Sequence, residues 1–168
     1  PAEAWVQMQD VAGNFGEIAH PLHAACIVAG ASFPMRYSVN AAIHYLDRWA
    51  RGGPRPPRAP RYEFDANGQL ATDRFGNALG GIRLPPVEHP IARYQSTLCG
   101  LGGITIPFSR VLLAQEYGTH AEYYCAMKVA TERSLAEGFL LPADADDLMR
   151  RVENATTRFF VNGERSCN

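Results

Sequence analysis

Apolar residues recur every three to four positions between residues 39 and 49, and this spacing predicts an amphipathic helix. The predicted helix runs from Val39 to about Arg51, with Ser38 as its N-cap. Gly52-Gly53 should end the helix, and Pro54 prevents it from continuing. The stripe that we expect to be buried consists of Val39, Ala42, Ile43, Leu46 and Trp49.

Three further helices are predicted in the last third of the chain from their capping residues. Ser109 caps a helix over residues 110–117, and Thr119 caps one over residues 120–137, with a glutamate three residues later that completes a capping box. Pro142 begins a last helix, whose early acidic and later basic residues suit the helix dipole. The positions of the middle helix that we expect to face inward are Tyr123, Tyr124, Met127, Ala130 and Leu135.

The middle of the chain predicts a small β-unit reached through a stiff connection. Residues 54–60 hold four prolines and should be extended polyproline II. The stretches "RYEFD" and "QLATD" flank Asn67-Gly68, which predicts a hairpin turn. Beyond it, glycine and proline allow only short edge strands, at Gly81–Leu84 and Ile91–Gln95. No internal repeat is apparent.

The first residues predict a strand followed by a long loop. The stretch "AWVQMQDVAG" alternates enough for a strand over Trp5–Val11 that ends at Gly13. The loop that follows contains Gly, Pro and two His, and a loop of this length usually covers a functional feature.

Composition places the chain among ordinary globular proteins. It has 168 residues, 46% of them hydrophobic and 20% charged, which suits one domain with room for an appended subdomain. A net charge of −1 gives no electrostatic reason to expect a nucleic-acid partner. No apolar run approaches the roughly 18 residues that cross a bilayer, so we expect no membrane span.

Cysteine and histidine spacing predicts no metal or cofactor site. Cys26, Cys99, Cys125 and Cys167 lie far apart without a CxxC pair, and free buried thiols are the favoured interpretation, with disulfides left open. Cys26 follows His23 by three residues, but its apolar surroundings favour an inert thiol over a nucleophile. Of the other histidines, His44 is expected to pack beside the buried stripe, and His89 and His120 are expected to be exposed.

Four stretches resemble a known family: "VNAAIHYLDRWARGGPRPP", "RFGNALGGIRLPPVEHPIARY", "TIPFS" and "AEGFLLPADADDLM". From Val11 to about Val152 the chain resembles the C-terminal portion of the bacterial α/β-hydrolase domain-containing proteins, which are serine esterases. The resemblance implies an α/β fold, namely the C-terminal part of an α/β-hydrolase fold with an appended, mostly helical subdomain containing a small β-unit. It also implies a Ser–acid–His mechanism with the histidine last in chain order.

The site residues of this family are only partly matched. The implied nucleophile elbow, Gly-x-Ser-x-Gly, is absent, and Ser32 in "AGASFPM" does not fit it. Family members usually carry histidine a few residues after the Ala12-Gly13 match, where this chain has Asn14, Phe15 and Gly16. His20, a few residues later, is the candidate general base. Asp10 and Glu17 are weaker candidates for the acid that orients it.

These observations lead to one hypothesis and one alternative. Residues 1–53 would supply the last core strand, the His loop and a covering helix of a serine hydrolase acting on carboxylic esters, and residues 54–168 the proline segment, β-unit and helical subdomain. Because the sequence begins at Pro1, not Met, a fragment or processed chain is expected, completed by an N-terminal hydrolase portion or another chain. The alternative is a non-catalytic pseudoenzyme or assembly module.

Overall fold

The structure, a computed structural model, describes residues 32–95 and 103–167, and this part of the chain is rich in helix. The predicted strand Trp5–Val11 lies outside the described residues. Two strands form a small antiparallel sheet in which Ala92 lies opposite Pro107. In chain order the elements are α1 (Arg36–Ala50), α2 (Pro85–Glu88), β1 (Ala92–Gln95), β2 (Ile104–Pro107), α3 (Arg110–Tyr117), α4 (His120–Ala136), α5 (Pro142–Asn154) and a 3-10 helix (Ala155–Arg158).

The capping residues set the ends of the C-terminal helices as predicted. The Ser109 hydroxyl accepts a hydrogen bond from the Leu112 amide at 3.2 Å and caps α3. Thr119 and Glu122 form a reciprocal capping box at the start of α4. Pro142 is the first residue of α5.

Helix α1 ends at the two glycines, also as predicted. The Gly52 amide donates to the Trp49 carbonyl at 3.0 Å, and the Gly53 amide donates to the Arg48 carbonyl at 2.9 Å. This pair of bonds is a Schellman motif, which needs a residue with positive φ at the first position past the helix. Gly52 supplies it, with a φ of 87°.

The start and the buried face of α1 were predicted wrongly. The helix begins at Arg36, two residues before Ser38, and no side chain caps it. Its buried residues are Tyr37 and Ala41, whereas Ile43, Leu46 and Trp49 are 45%, 51% and 49% exposed. At about 100° per residue, Leu46 lies on the opposite side of the helix from Tyr37. The predicted stripe is therefore exposed.

Contacts with α5 explain which face of α1 is buried. The Tyr37 hydroxyl donates to the Asp147 carboxylate at 2.5 Å, and Arg36 forms an ion pair with the same carboxylate. One turn along α1, the Asn40 side-chain amide donates to both Asp144 oxygens, at 3.0 and 3.1 Å. These polar partners fix the rotation of α1, and hydrophobicity alone does not reveal them.

The core lies around α4 and α5. Met127 is fully buried on α4, as predicted, and Leu148 is buried on α5. Tyr124 and Leu135 of the predicted inward set are only partly buried but pack against this core. The buried cluster consists of Tyr37, Leu84, Leu113, Tyr123, Met127, Leu140, Ala145, Leu148, Val152 and Phe159.

The β-unit, defined here as residues 61–81, contains an eight-residue repeat that the sequence reading missed. The turn predicted at Asn67-Gly68 is present, with a bridge between Phe64 and Leu70. A second turn follows eight residues later, with a bridge between Thr72 and Ala78. In each turn an aspartate side chain accepts two backbone amide hydrogen bonds.

Backbone hydrogen bonds close the β-unit into a ring. The Ala71 amide donates to Glu63, the Leu79 amide donates to Ala71, and the Glu63 amide donates to Leu79, at 2.9, 2.9 and 3.1 Å. Gly80 follows this ring with a φ of 73°, and a Cβ there would lie 2.0 Å from the Arg61 carbonyl oxygen. The β-unit therefore depends on the close backbone approach that glycine permits.

The predicted strand Gly81–Leu84 is not formed. Residues 82–84 are irregular and lead into α2, which begins with two buried prolines, Pro85 and Pro86. Arg83 donates to the Asp73 carboxylate at 2.7 Å and to the Val87 carbonyl at 3.2 Å. These side-chain contacts hold the segment without a strand partner.

The C-terminal segment folds back on α4 and is joined to it by a disulfide. Val161 and Asn162 carbonyls accept hydrogen bonds from the first amides of α4 at 2.9 and 2.8 Å. Cys125 and Cys167 form the disulfide across 42 residues of sequence. The expectation of free thiols is thus wrong for these two cysteines, because it ignored the return path of the C-terminal segment. Cys26 and Cys99 lie outside the described residues.

Candidate functional site

A cavity of about 280 Å³ lies between the two-stranded sheet and helices α4 and α5. Ile91 and Ala92 form part of one wall, and Met127 and Leu148 form part of the opposite wall. The lining is mostly apolar, with a few polar side chains, which is the usual composition of a small-molecule site.

Helical spacing brings the wall residues of α4 and α5 together. Tyr123 and Met127 are four residues apart on α4, and Leu148 and Val152 are four residues apart on α5. Residues at this spacing lie on the same face of a helix. Tyr123 and Met127 were predicted to face inward, but the cavity beside them was not predicted.

Two tyrosine hydroxyls of this cavity lack hydrogen-bond partners among the described residues. Tyr94 reaches it from β1, with its ring 5.0 Å from the ring of Phe33, and Tyr123 reaches it from α4. Only the amide nitrogen of Asn77 is an unpartnered side-chain atom sealed from solvent in the described residues. Both tyrosines line the cavity, and Tyr123 is only 3% exposed.

Both hydroxyls are protonated at neutral pH, and burial moves the pKa of each further above it. Burial raises the pKa of Tyr94 to about 12. Burial, with a smaller contribution from Tyr94, raises the pKa of Tyr123 well above its usual value. Both side chains can therefore donate a hydrogen bond to a ligand in the cavity.

Two arginines, Arg151 and Arg158, supply the positive charge of the cavity. The Arg151 Nε donates to the Asp147 carboxylate at 2.9 Å, so a counter-ion partly neutralises it. Arg158 donates to the Phe108 carbonyl at 2.8 Å and makes no ion pair with the described residues. Of these two guanidiniums, Arg158 is the one without a carboxylate partner in the described part of the chain.

Ser32 lies at the cavity but has no catalytic partner among the described residues. Its amide and hydroxyl contact the Thr105 hydroxyl at 2.8 and 3.2 Å. A nucleophilic serine needs a base within hydrogen-bond distance, and no described histidine contacts Ser32. This geometry agrees with the sequence, in which Ser32 does not fit the nucleophile elbow.

The remaining predicted site residues are either outside the described residues or separate from the cavity. His20, the candidate base, lies outside them, as do His23, Cys26, Asp10 and Glu17. His44, expected to pack, is exposed on α1 with its ring 5.1 Å from that of Tyr45.

His89 and His120 were expected to be exposed, and this was wrong. His120 is 2% exposed, and its Nε2 lies 2.7 Å from the Val152 carbonyl oxygen, a contact that joins α4 to α5. His89 is half-buried at the end of α2, and burial lowers its pKa. Both histidines are therefore at least partly buried in the fold.

Among the described residues, the apolar, tyrosine and arginine side chains at the cavity are suited to binding a ligand. No group of three or more metal-ligating side chains occurs in this part of the chain. No helix there combines the length and the hydropathy needed to cross a bilayer. Tyr94, Arg151 and Arg158 were not predicted as site residues, because they come from separate elements and share no motif.

Comparison with known proteins identifies one family. A family model described as "Alpha/beta hydrolase domain" matches residues 2–150. No curated protein and no solved structure matches the chain.

Proposed function

Because the chain belongs to the alpha/beta hydrolase domain family, whose model matches residues 2–150, we propose that it works as the C-terminal part of a serine hydrolase acting on carboxylic esters. The family match carries the hydrolase assignment. The ester substrate rests on the resemblance of the stretches around Gly76–Arg83 and Gly138–Ala145 to serine esterases.

In this proposal the nucleophile comes from outside the chain. The sequence contains no Gly-x-Ser-x-Gly, and the nearest match, at Ser32, has Pro34 where the last glycine is needed. Ser32 contacts Thr105 and no described base, which supports the same conclusion. An N-terminal hydrolase portion, or another chain of the same assembly, would therefore provide the serine, the acid and the oxyanion donors.

His20 would act as the general base. A neutral imidazole takes the proton of the serine hydroxyl and returns it to the leaving group. His20 follows the predicted strand Trp5–Val11 on a loop, which is where this fold carries its catalytic histidine. Asp10 and Glu17 are weaker candidates for this acid within the chain itself.

A turnover assay tests this role. The 168-residue chain alone should not hydrolyse a p-nitrophenyl ester, and the assembly completed by the N-terminal portion should. In that assembly His20→Ala should lower turnover below a tenth of wild type, since general-base catalysis contributes about 10² to 10⁴ in rate. His44→Ala, at an exposed histidine of α1, is the matched control. Equal turnover of His20→Ala and wild type would reject His20 as the base.

The alternative function, a non-catalytic assembly module, has one structural observation in its favour. Ile43, Leu46 and Trp49 expose 45–51% of their surface on the face of α1 that points away from α5. Contiguous exposed apolar surface of this kind is typical of interfaces. Asn14, Phe15 and Gly16, where the resemblance places a histidine, favour the same alternative.

A co-purification experiment tests whether the exposed apolar face of α1 binds a partner. If the N-terminal hydrolase portion covers this face, the double change Ile43→Glu and Trp49→Glu should weaken its co-purification by about tenfold or more, since buried charge without a partner is unfavourable. Arg48→Glu, on another side of the same helix, should leave it unchanged. Undiminished co-purification of the double variant would place the interface elsewhere.

A further inference from the structure

We propose that the cavity between the sheet and helices α4 and α5 binds a small apolar carboxylate, with the acid group at Arg158 and the two tyrosine hydroxyls. Identifying this ligand as the acid released from an ester rests on the proposed function. The binding itself rests on the cavity, and a direct binding measurement tests it separately.

The shape and walls of the cavity favour a short apolar body. Its volume of about 280 Å³ lies near the lower end for ligand pockets, so it suits a ring or a short acyl chain. Met127 is fully buried behind this wall and Leu148 is 3% exposed, so the wall is backed by the packed core of the fold. Such walls accept an apolar group without first rearranging.

The polar groups of the cavity favour an acceptor of hydrogen bonds with negative charge. Tyr123 and Tyr94 offer hydroxyl donors that have no partner among the described residues. Arg158 adds a guanidinium without a carboxylate partner in the same part of the chain. A carboxylate accepts bonds from both kinds of donor, whereas a neutral amide or alcohol leaves the charge of Arg158 unmatched.

The local charge balance distinguishes Arg158 from Arg151. Asp147 accepts hydrogen bonds from Arg151 and Tyr37, and it also pairs with Arg36 and Arg150, so Arg151 already has an anionic neighbour. Among the described residues, the side chain of Arg158 donates to the Phe108 carbonyl oxygen and pairs with no carboxylate. The carboxylate of the ligand is therefore assigned to Arg158, with Arg151 as a second positive charge at the cavity.

A calorimetric titration of the 168-residue chain with phenylacetate and with neutral phenylacetamide tests the proposal. Phenylacetate should bind saturably with a dissociation constant of about 10⁻⁴ to 10⁻³ M, as expected for a ligand of this size. Phenylacetamide should bind about tenfold more weakly or not measurably, because a charge-assisted hydrogen bond is lost.

Variants locate the binding in this cavity. Tyr123→Phe and Tyr94→Phe each remove one hydroxyl and keep the ring, and each should weaken phenylacetate binding about threefold to tenfold. Arg158→Gln should remove the preference for the acid over the amide. Tyr45→Phe and Arg48→Gln, both on α1 and away from the cavity, are the matched controls and should bind like wild type.

Two results would overturn the proposal: no saturable binding of phenylacetate, or wild-type affinity in Arg158→Gln together with both tyrosine variants. Far-UV circular dichroism of each variant shows that its fold is retained. If phenylacetate binds and the completed assembly hydrolyses no ester, only the proposed function fails. If the assembly hydrolyses esters and phenylacetate does not bind, only this inference fails.

Discussion

Single residues decide how α1 sits on the C-terminal helices, and Asp147 is the most connected of them. Its carboxylate accepts hydrogen bonds from the Tyr37 hydroxyl and the Arg151 side chain, at 2.5 and 2.9 Å. Tyr37 is fully buried, so loss of its acceptor leaves a buried hydroxyl unsatisfied. Asp147 lies in the stretch "GFLLPADADDLM", which resembles the family. Its contacts give that stretch a structural role in this chain.

Replacement of Asp147 should destabilise the fold. We expect Asp147→Asn to lower the free energy of unfolding at pH 7 by about 1–3 kcal/mol, because charge-assisted hydrogen bonds are lost. Urea denaturation followed by circular dichroism measures this change. Glu132→Gln, which removes an exposed ion pair with Lys128, should change it by less than about 0.5 kcal/mol. Equal effects of the two variants would contradict the role of Asp147.

The contribution of Asp147 should also vanish in acid. Partial burial acts to raise its pKa, but hydrogen bonds from Tyr37 and Arg151, with the charges of Arg151 and Arg36, lower it from 3.8 to about 2. A carboxyl group with a lowered folded-state pKa stabilises the fold above its unfolded pKa and loses this as the pH falls through the folded value. The stability difference between wild type and Asp147→Asn should therefore be constant above about pH 5 and shrink between about pH 4 and pH 2.

At the scale of elements, the features that depend on neighbouring residues were predicted correctly. Features that depend on contacts between distant residues were not. The caps at Ser109 and Thr119 and the stop at Gly52-Gly53 depend on residues within one turn, and all are confirmed. The buried face of α1 was misjudged because Tyr37 and Asn40 find partners more than 100 residues away. The strand predicted at Gly81–Leu84 is replaced by an irregular segment in which the Arg83 side chain donates to the Asp73 carboxylate and the Val87 carbonyl oxygen.

The β-unit offers a matched pair of glycine substitutions. Gly80 and Gly68 both have positive φ, so alanine at either position should cost about 1–2 kcal/mol in backbone conformation. At Gly80 the new Cβ would also meet the Arg61 carbonyl oxygen at 2.0 Å, whereas at Gly68 it would meet no atom within 4 Å. Gly80→Ala should therefore lower the free energy of unfolding more than Gly68→Ala does. If urea denaturation gives the two variants equal free energies of unfolding, the close contact with the Arg61 carbonyl oxygen contributes little.

At the scale of the whole molecule, the disulfide joins the C-terminal segment to α4, the longest helix among the described residues. Contacts between Cys125 and Cys167 depend on the path of the C-terminal segment along α4. Cysteine spacing alone does not contain that path, so the sequence left the disulfide open. The cavity could not be predicted from the sequence either, because its tyrosines and arginines come together only when the sheet and the helices pack.

Removal of the disulfide should destabilise the fold. For a closed loop of 42 residues we expect Cys167→Ser, and the double variant with Cys125→Ser, to lower the free energy of unfolding by about 2–4 kcal/mol. Peptide mapping without reduction should recover the two cysteine peptides as one linked species. Urea denaturation of the single and double variants measures the loss. Unlinked peptides, or wild-type stability in both variants, would contradict this prediction.

The hydrogen-bond ring of Glu63, Ala71 and Leu79 has a consequence for self-association. Residues 61–70 are all exposed, and an exposed extended segment with unpaired backbone groups recruits strands from other molecules. Each of these three residues both donates to and accepts from another member of the ring. Within residues 61–70 this pairing occupies both backbone groups of Glu63, so that position offers no free amide or carbonyl to a strand of another molecule.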